Sequence, residues 1–158
     1  MIKQRVSLGF SLLWRTYVVY FIYTLIFSLV LGFVFTDLVY ANKDLLLFAP
    51  AFALGLFGLL LALLEVGCRV NLLRVVFGGR LKRSPAQWRT YALQLALVLG
   101  TLGTLNALIA VFAPVDIWLY YKAYGGPLLF VMSVFAIGWA QATPSTAQTS
   151  ATPDARKL

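Results

Sequence analysis

Apolar residues along this chain gather into four long runs, at 18–35, 48–64, 92–113 and 125–141, separated by polar breaks. A bilayer hydrocarbon core about 30 Å thick is crossed by roughly 20 such residues in a helix. The pattern predicts an all-α fold, an integral membrane four-helix bundle, with helices at about 10–36, 48–66 extending to 77, 86–113 and 122–141. These form one domain over residues 1–142. Residues 143–158 are rich in Thr, Ser, Ala and Pro with few apolar groups, and are expected to be a disordered cytoplasmic tail.

Punctuation residues set the expected ends. Ser7 is a candidate cap for the first helix. Pro50 suits the first turn of the second, and Gly78-Gly79 suits its C-terminal stop. A helix from Pro50 to Phe77 would measure roughly 42 Å, so Arg69 and Arg74 are expected at or beyond the interface. Ser84-Pro85-Ala86-Gln87 reads as a capping box with Pro at the first helical position. Pro114 closes the third helix, and 116–124 is expected as an aromatic outer loop. Gly125-Gly126-Pro127 then opens a short fourth helix, which either begins earlier, with Lys122 snorkelling outward, or thins the bilayer locally.

Composition agrees with lipid as the main solvent. Of 158 residues, 61% are hydrophobic and 11% charged, too few polar groups to cover a water-soluble surface. Lys3 and Arg5 precede an apolar stretch in the manner of a signal peptide. That stretch is longer than a secretory core of about 7 to 15 residues, so it is read as the first membrane helix.

Charge adds orientation. Lys3, Arg5, Arg15, Arg69, Arg74, Arg80, Lys82, Arg83, Arg89, Arg156 and Lys157 fall on one side of the runs, and Lys43 and Lys122 on the other. The positive-inside rule then puts both termini in the cytoplasm, in what is expected to be a bacterial inner membrane. Because the net charge of +8 sits at helix ends, its expected partner is a bilayer with anionic headgroups and not nucleic acid.

Trp14-Arg15-Thr16-Tyr17 recurs as Trp88-Arg89-Thr90-Tyr91, each where an odd-numbered helix enters the membrane. Two readings stand. The chain is two tandem helical hairpins forming a parallel repeat, or interface chemistry converged twice, since Trp and Tyr favour the headgroup layer and Arg pairs with phosphate. On either reading Trp14, Arg15, Tyr17, Trp88, Arg89 and Tyr91, with Trp118 and Trp139, are expected as interface anchors.

Helices in lipid hold together through close approach at small residues. The second helix offers Ala51, Gly55, Gly58 and Ala62, the third Ala96, Gly100, Gly103 and Ala107, and the first Tyr20, Thr24, Ser28 and Gly32. Gln94, Thr101 and Asn106 are polar groups within the third helix, expected to bond between helices or to line a ligand path. Glu65, the one acidic residue on a membrane helix, is a candidate ion or proton site. Its spacing from Arg69 favours an i,i+4 ion pair, which is the expected arrangement. Cys68 is expected to be a buried, inert thiol.

Reactive chemistry has little to draw on. The chain has no His and a single Cys, so neither a Cys–His nucleophile nor a zinc, haem-His or iron–sulfur site can be assembled from it, and no cofactor is expected. The sequence therefore points to a non-enzymatic membrane protein, an accessory, scaffold or assembly subunit that packs against a membrane partner or itself and presents a basic cytoplasmic face. The alternative is a small oligomeric carrier or channel using Glu65 and the polar face of the third helix.

Overall fold

The computed structural model describes residues 2–42, 45–77, 81 and 83–142; the expected tail at 143–158 and the Gly78-Gly79 stop lie outside them. The described chain is an all-α membrane bundle, with four helical segments long and apolar enough to cross a bilayer. In order these are α1 (Ile2–Phe33), a short α2 (Thr36–Ala41), α3 (Leu45–Val66), a short α4 (Leu72–Phe77), α5 (Pro85–Phe112), and α6 (Val115–Tyr120) running through a π turn (Tyr121–Gly125) into α7 (Gly126–Ala140).

α1 begins at Ile2, so Ser7 lies inside the helix and does not cap it. α3 begins at Leu45, which places Pro50 in the helix interior. The carbonyl its ring crowds belongs to Leu46, in the first turn, where the disturbance is cheapest. α5 starts as a capped helix: Ser84 Oγ accepts from Gln87 N, Gln87 Oε1 accepts from Ser84 N, and Pro85 follows the cap.

The expected continuation of the second helix to residue 77 does not occur. α3 stops at Val66, and the chain passes through Gly67, a weak helix former, to Arg69, whose φ of 55° is left-handed. Val70 N–H returns to Leu64 O at 2.9 Å, closing the turn. Asn71 then caps α4, its Oδ1 accepting from Arg74 N at 2.8 Å.

Residues 116–124 are also not a loop. α6, the π turn and α7 form one 26-residue spanning segment, Val115–Ala140, so the fourth span begins earlier than Gly125. The π turn has a local cause. Pro127 lacks an N–H and its ring crowds the carbonyl four residues back; widening the preceding turn lets Gly126 N–H reach Tyr121 O instead.

Packing pairs helices across the two halves of the chain. α3 lies along α5 and α1 along α7, while α1 and α3, neighbours in sequence, touch little. A two-fold axis along the membrane normal would give such an exchange, but the Trp-Arg-Thr-Tyr segments occupy unlike places, as described below. The core joins Leu12 and Val19 of α1, Phe57 and Leu61 of α3, Leu73 of α4, Tyr91, Leu95 and Leu99 of α5, and Phe130 and Val134 of α7. Tyr23 stacks on Phe57 at 4.6 Å between ring centroids, and Tyr20 bridges Phe57 and Phe130.

Candidate functional site at the basic end of the bundle

The reversal between α3 and α5 builds a polar node with a cleft beside it. Glu65, in the last turn of α3, is buried, and its Oε2 accepts from Asn71 Nδ2 at 2.6 Å. The same amide donates to Trp88 O at 3.0 Å. Asn71 thus fastens the end of α3, the start of α4 and the first turns of α5 with one side chain. The expected Glu65–Arg69 pair is replaced by this node. The helix ends before Arg69, so the i,i+4 geometry is never made, and the carboxylate takes its bond from Asn71 instead.

Around the node Arg69, Arg74 and Arg89 line a cleft of about 440 Å³ together with Glu65, Val66 and Asn71. All three arginines are exposed. Cys68 is exposed too, in the turn and not in the core.

A second polar connection closes the same end. Arg83 donates to Gln141 Oε1, and Gln141 Nε2 donates to Gln94 Oε1, tying the segment before α5 to the end of α7. The Arg83 guanidinium also lies 5.5 Å from the Trp88 ring and 5.8 Å from the Tyr91 ring. Partial burial pushes its pKa down from the ordinary arginine value, while Tyr91 opposes the shift. Arginine starts so high that it stays charged at neutral pH.

The interface anchors divide. Trp14 and Tyr17 are exposed, Arg89 is exposed, and Arg15 and Trp139 are partly covered. Trp88 at 1% exposure, Tyr91 at 0% and Trp118 at 6% are core residues, which corrects the expectation for all three. Trp88 and Tyr91 lie in one cluster with Leu73 of α4, whereas Trp14 in the matching position of α1 is left open. The two segments nonetheless meet: Thr16 Oγ1 and Tyr91 OH are 2.6 Å apart and buried.

Small residues make the α3/α5 contact. A Cβ on Gly58 would lie 2.9 Å from Ala96 O, and one on Gly103 would lie 3.0 Å from Ala51 O and 3.1 Å from Gly55 N. A Cβ on Gly55 or Gly100 would meet nothing within 4 Å, so those two contribute backbone surface without requiring glycine. Ala62 and Ala107 are half-buried. The α1/α7 contact is a seam that pattern reading missed: a Cβ on Gly138 would lie 2.8 Å from Gly9 Cα. A glycine inside an apolar helical pattern on each helix was the available signal. Asn71 falls inside the expected extension of the second helix to 77, and its signal in the sequence is an Asn before an apolar stretch, which also marks a cap.

The polar residues of α5 do not converge. Thr101 is exposed and bonds its own helix at Leu97 O, 2.9 Å away, as Thr90 and Thr104 bond Ala86 O and Gly100 O. Gln94 faces Gln141 at the basic end. Asn106 alone is deeply buried, with Oδ1 unpartnered, beside a cavity of about 300 Å³ also lined by Tyr20, Tyr121 and Phe130. Among the described residues no group of three His, Cys, Asp or Glu is placed to hold a metal ion.

A family model described as intracellular septation protein A matches residues 3–143. The chain belongs to that family. Curated relatives that match the chain carry the name inner membrane-spanning protein YciB. The one from Delftia acidovorans is 33% identical over 99 residues, covering 63% of this chain and 49% of the relative. The one from Methylibium petroleiphilum is 28% identical over 97 residues, covering 61% and 47%. The chain spans about half the length of the curated relatives it matches. No solved structure matches it. These relatives are named as membrane-spanning proteins and not as enzymes, and their names place them in the inner membrane, in keeping with the four spans seen here.

Proposed function

We propose that the chain is a non-enzymatic scaffold or assembly subunit of the inner membrane, with its basic end on the cytoplasmic side and a helix face reserved for a membrane partner. The observation that carries this reading is on α1. Its buried residues, Gly9, Leu12, Thr16 and Val19, all lie toward the basic end. Farther along, the Thr24, Ser28 and Gly32 stripe is unused by the bundle: Gly32 has open space about it, Ser28 is exposed, and Thr24 bonds its own helix at Phe21 O. Small residues on a lipid-facing helix favour close approach by another helix. The α3/α5 and α1/α7 seams, by contrast, are spent within the molecule.

The family's description as septation proteins names the process in which such a partner is sought first. Extraction of the tagged protein from its native membrane into nanodiscs, followed by mass determination, tests the reading. A stoichiometric second membrane protein, lost on Ser28→Leu with Gly32→Leu, is the expected result; a chain that purifies alone sinks it.

The carrier reading has one observation in its favour, the buried and unpartnered Asn106 beside its cavity. A discrete homo-oligomer whose ion-linked uptake is abolished by Asn106→Leu or Glu65→Gln would support that alternative.

A further inference from the structure

The cleft at the basic end gathers like charge in a way the bundle itself does not need. Arg69 comes from the left-handed turn, Arg74 from α4 and Arg89 from α5, and the three share one cavity of about 440 Å³. Three cations around one space repel one another, and an anion between them recovers that energy. Guanidinium forks match phosphate oxygens two at a time. The first turn of α5 opens on the same space through Pro85 and Ala86, and its macrodipole acts in the same sense.

The floor is built and held. Glu65 and Asn71 are each 8% exposed, and Asn71 is fixed by bonds to Glu65, Trp88 O and Arg74 N. The turn and the two helices that carry the arginines are therefore braced against one another by Asn71. The cleft has apolar lining in Val66, which is 61% exposed, and Val70 and Val75, next in sequence to the lining residues Arg69 and Arg74, are 43% and 73% exposed. A soluble phosphate would leave those valines uncovered, whereas an acyl chain would lie on them.

We propose that this cleft binds the headgroup of an anionic phospholipid, with its phosphate held by Arg69, Arg74 and Arg89 and its acyl chains along Val66 and the neighbouring valines. Glu65 refines the choice. A carboxylate beside the phosphate accepts from a hydroxyl donor and repels a second negative charge, so a glycerol headgroup is favoured over a phosphomonoester such as phosphatidic acid. This site rests on the reading of the basic end as the headgroup-facing side. It does not depend on a protein partner.

Lipid binding to the purified full chain in detergent, followed by native mass spectrometry with added phosphatidylglycerol, phosphatidic acid or phosphatidylcholine, tests it without any protein partner present. The Arg69→Gln, Arg74→Gln, Arg89→Gln triple variant is compared with a control that removes three charges elsewhere, Lys3→Gln, Arg5→Gln and Lys122→Gln. The expected result is preferential retention of phosphatidylglycerol by the wild type and a loss of about a hundredfold in the triple variant, at about fivefold per arginine. The control stays within about twofold of wild type. If the triple variant does not fold, Arg89→Gln alone decides, with a loss of about fivefold expected. Equal retention by wild type and cleft variant, an equal loss in the control, or preference for phosphatidic acid overturns the proposal. Displacement of the lipid by millimolar inorganic phosphate also overturns it, by naming free phosphate as the occupant. None of these failures bears on whether a membrane protein co-purifies, so the scaffold reading stands or falls separately.

Discussion

Thr16 and Tyr91 touch hydroxyl to hydroxyl, 2.6 Å apart in the core, so that one Trp-Arg-Thr-Tyr segment bonds to the other across α1 and α5. The reciprocal pair, Tyr17 and Thr90, is exposed, and Thr90 bonds its own helix at Ala86 O. The two segments are alike in sequence and opposite in use. Hydrogen bonds between membrane helices average about 0.6 kcal/mol and reach about 1.7. A double-mutant cycle of Thr16→Val and Tyr91→Phe, followed by unfolding in micelles, should return a coupling in that range. The same cycle on Tyr17→Phe and Thr90→Val should return none.

Glycine positions separate by what a methyl group would meet. Gly58→Ala and Gly103→Ala push a Cβ onto facing backbone, which cannot swing aside as a side chain can, and each should cost about 1–3 kcal/mol. Gly55→Ala and Gly100→Ala enter open space and should be neutral or mildly stabilising, since Ala is the better helix former. Equal losses at all four positions in thermal unfolding would contradict the α3/α5 seam.

Asn71 holds three elements at once, so its loss should exceed that of an ordinary cap. Asn71→Leu removes the cap of α4 and leaves the Glu65 carboxylate buried without its donor, for an expected cost of about 2–4 kcal/mol. Glu65→Gln keeps an acceptor for Asn71 and should cost less. A larger loss for Glu65→Gln than for Asn71→Leu would mean that the node is organised by charge and not by the amide.

Cys68 reports orientation directly, because it is the single cysteine of the chain and is exposed in the turn at the basic end. A membrane-impermeant maleimide should leave it unmodified in intact spheroplasts and label it in inverted membrane vesicles. The opposite result would place the basic end outside and reverse the positive-inside assignment.

Much of this architecture was readable along the chain. Transfer of a helix into lipid depends on its own residues added together, so four apolar runs are enough to specify four spans. The Ser84-Pro85-Ala86-Gln87 start of α5 was equally legible, because a capping box is satisfied within four residues. The bias of Lys and Arg toward one end is likewise a property of the string.

Other features required partners distant in sequence. Trp88 and Tyr91 read as headgroup anchors, and what buries them is a cluster that includes α4, a helix that exists only because α3 breaks at Gly67 and turns through Arg69. Helical spacing assigns Glu65 to Arg69, and that break gives it to Asn71. The pairing of α3 with α5 and α1 with α7 is beyond hydropathy altogether, since lipid is as apolar as any helix face and neighbours are distinguished by backbone fit at Gly58, Gly103, Gly9 and Gly138, with the Asn71 node added between α3 and α5. Insertion into the membrane is thus a local sum legible in the sequence, while packing within it is a matter of shape that only the folded chain decides.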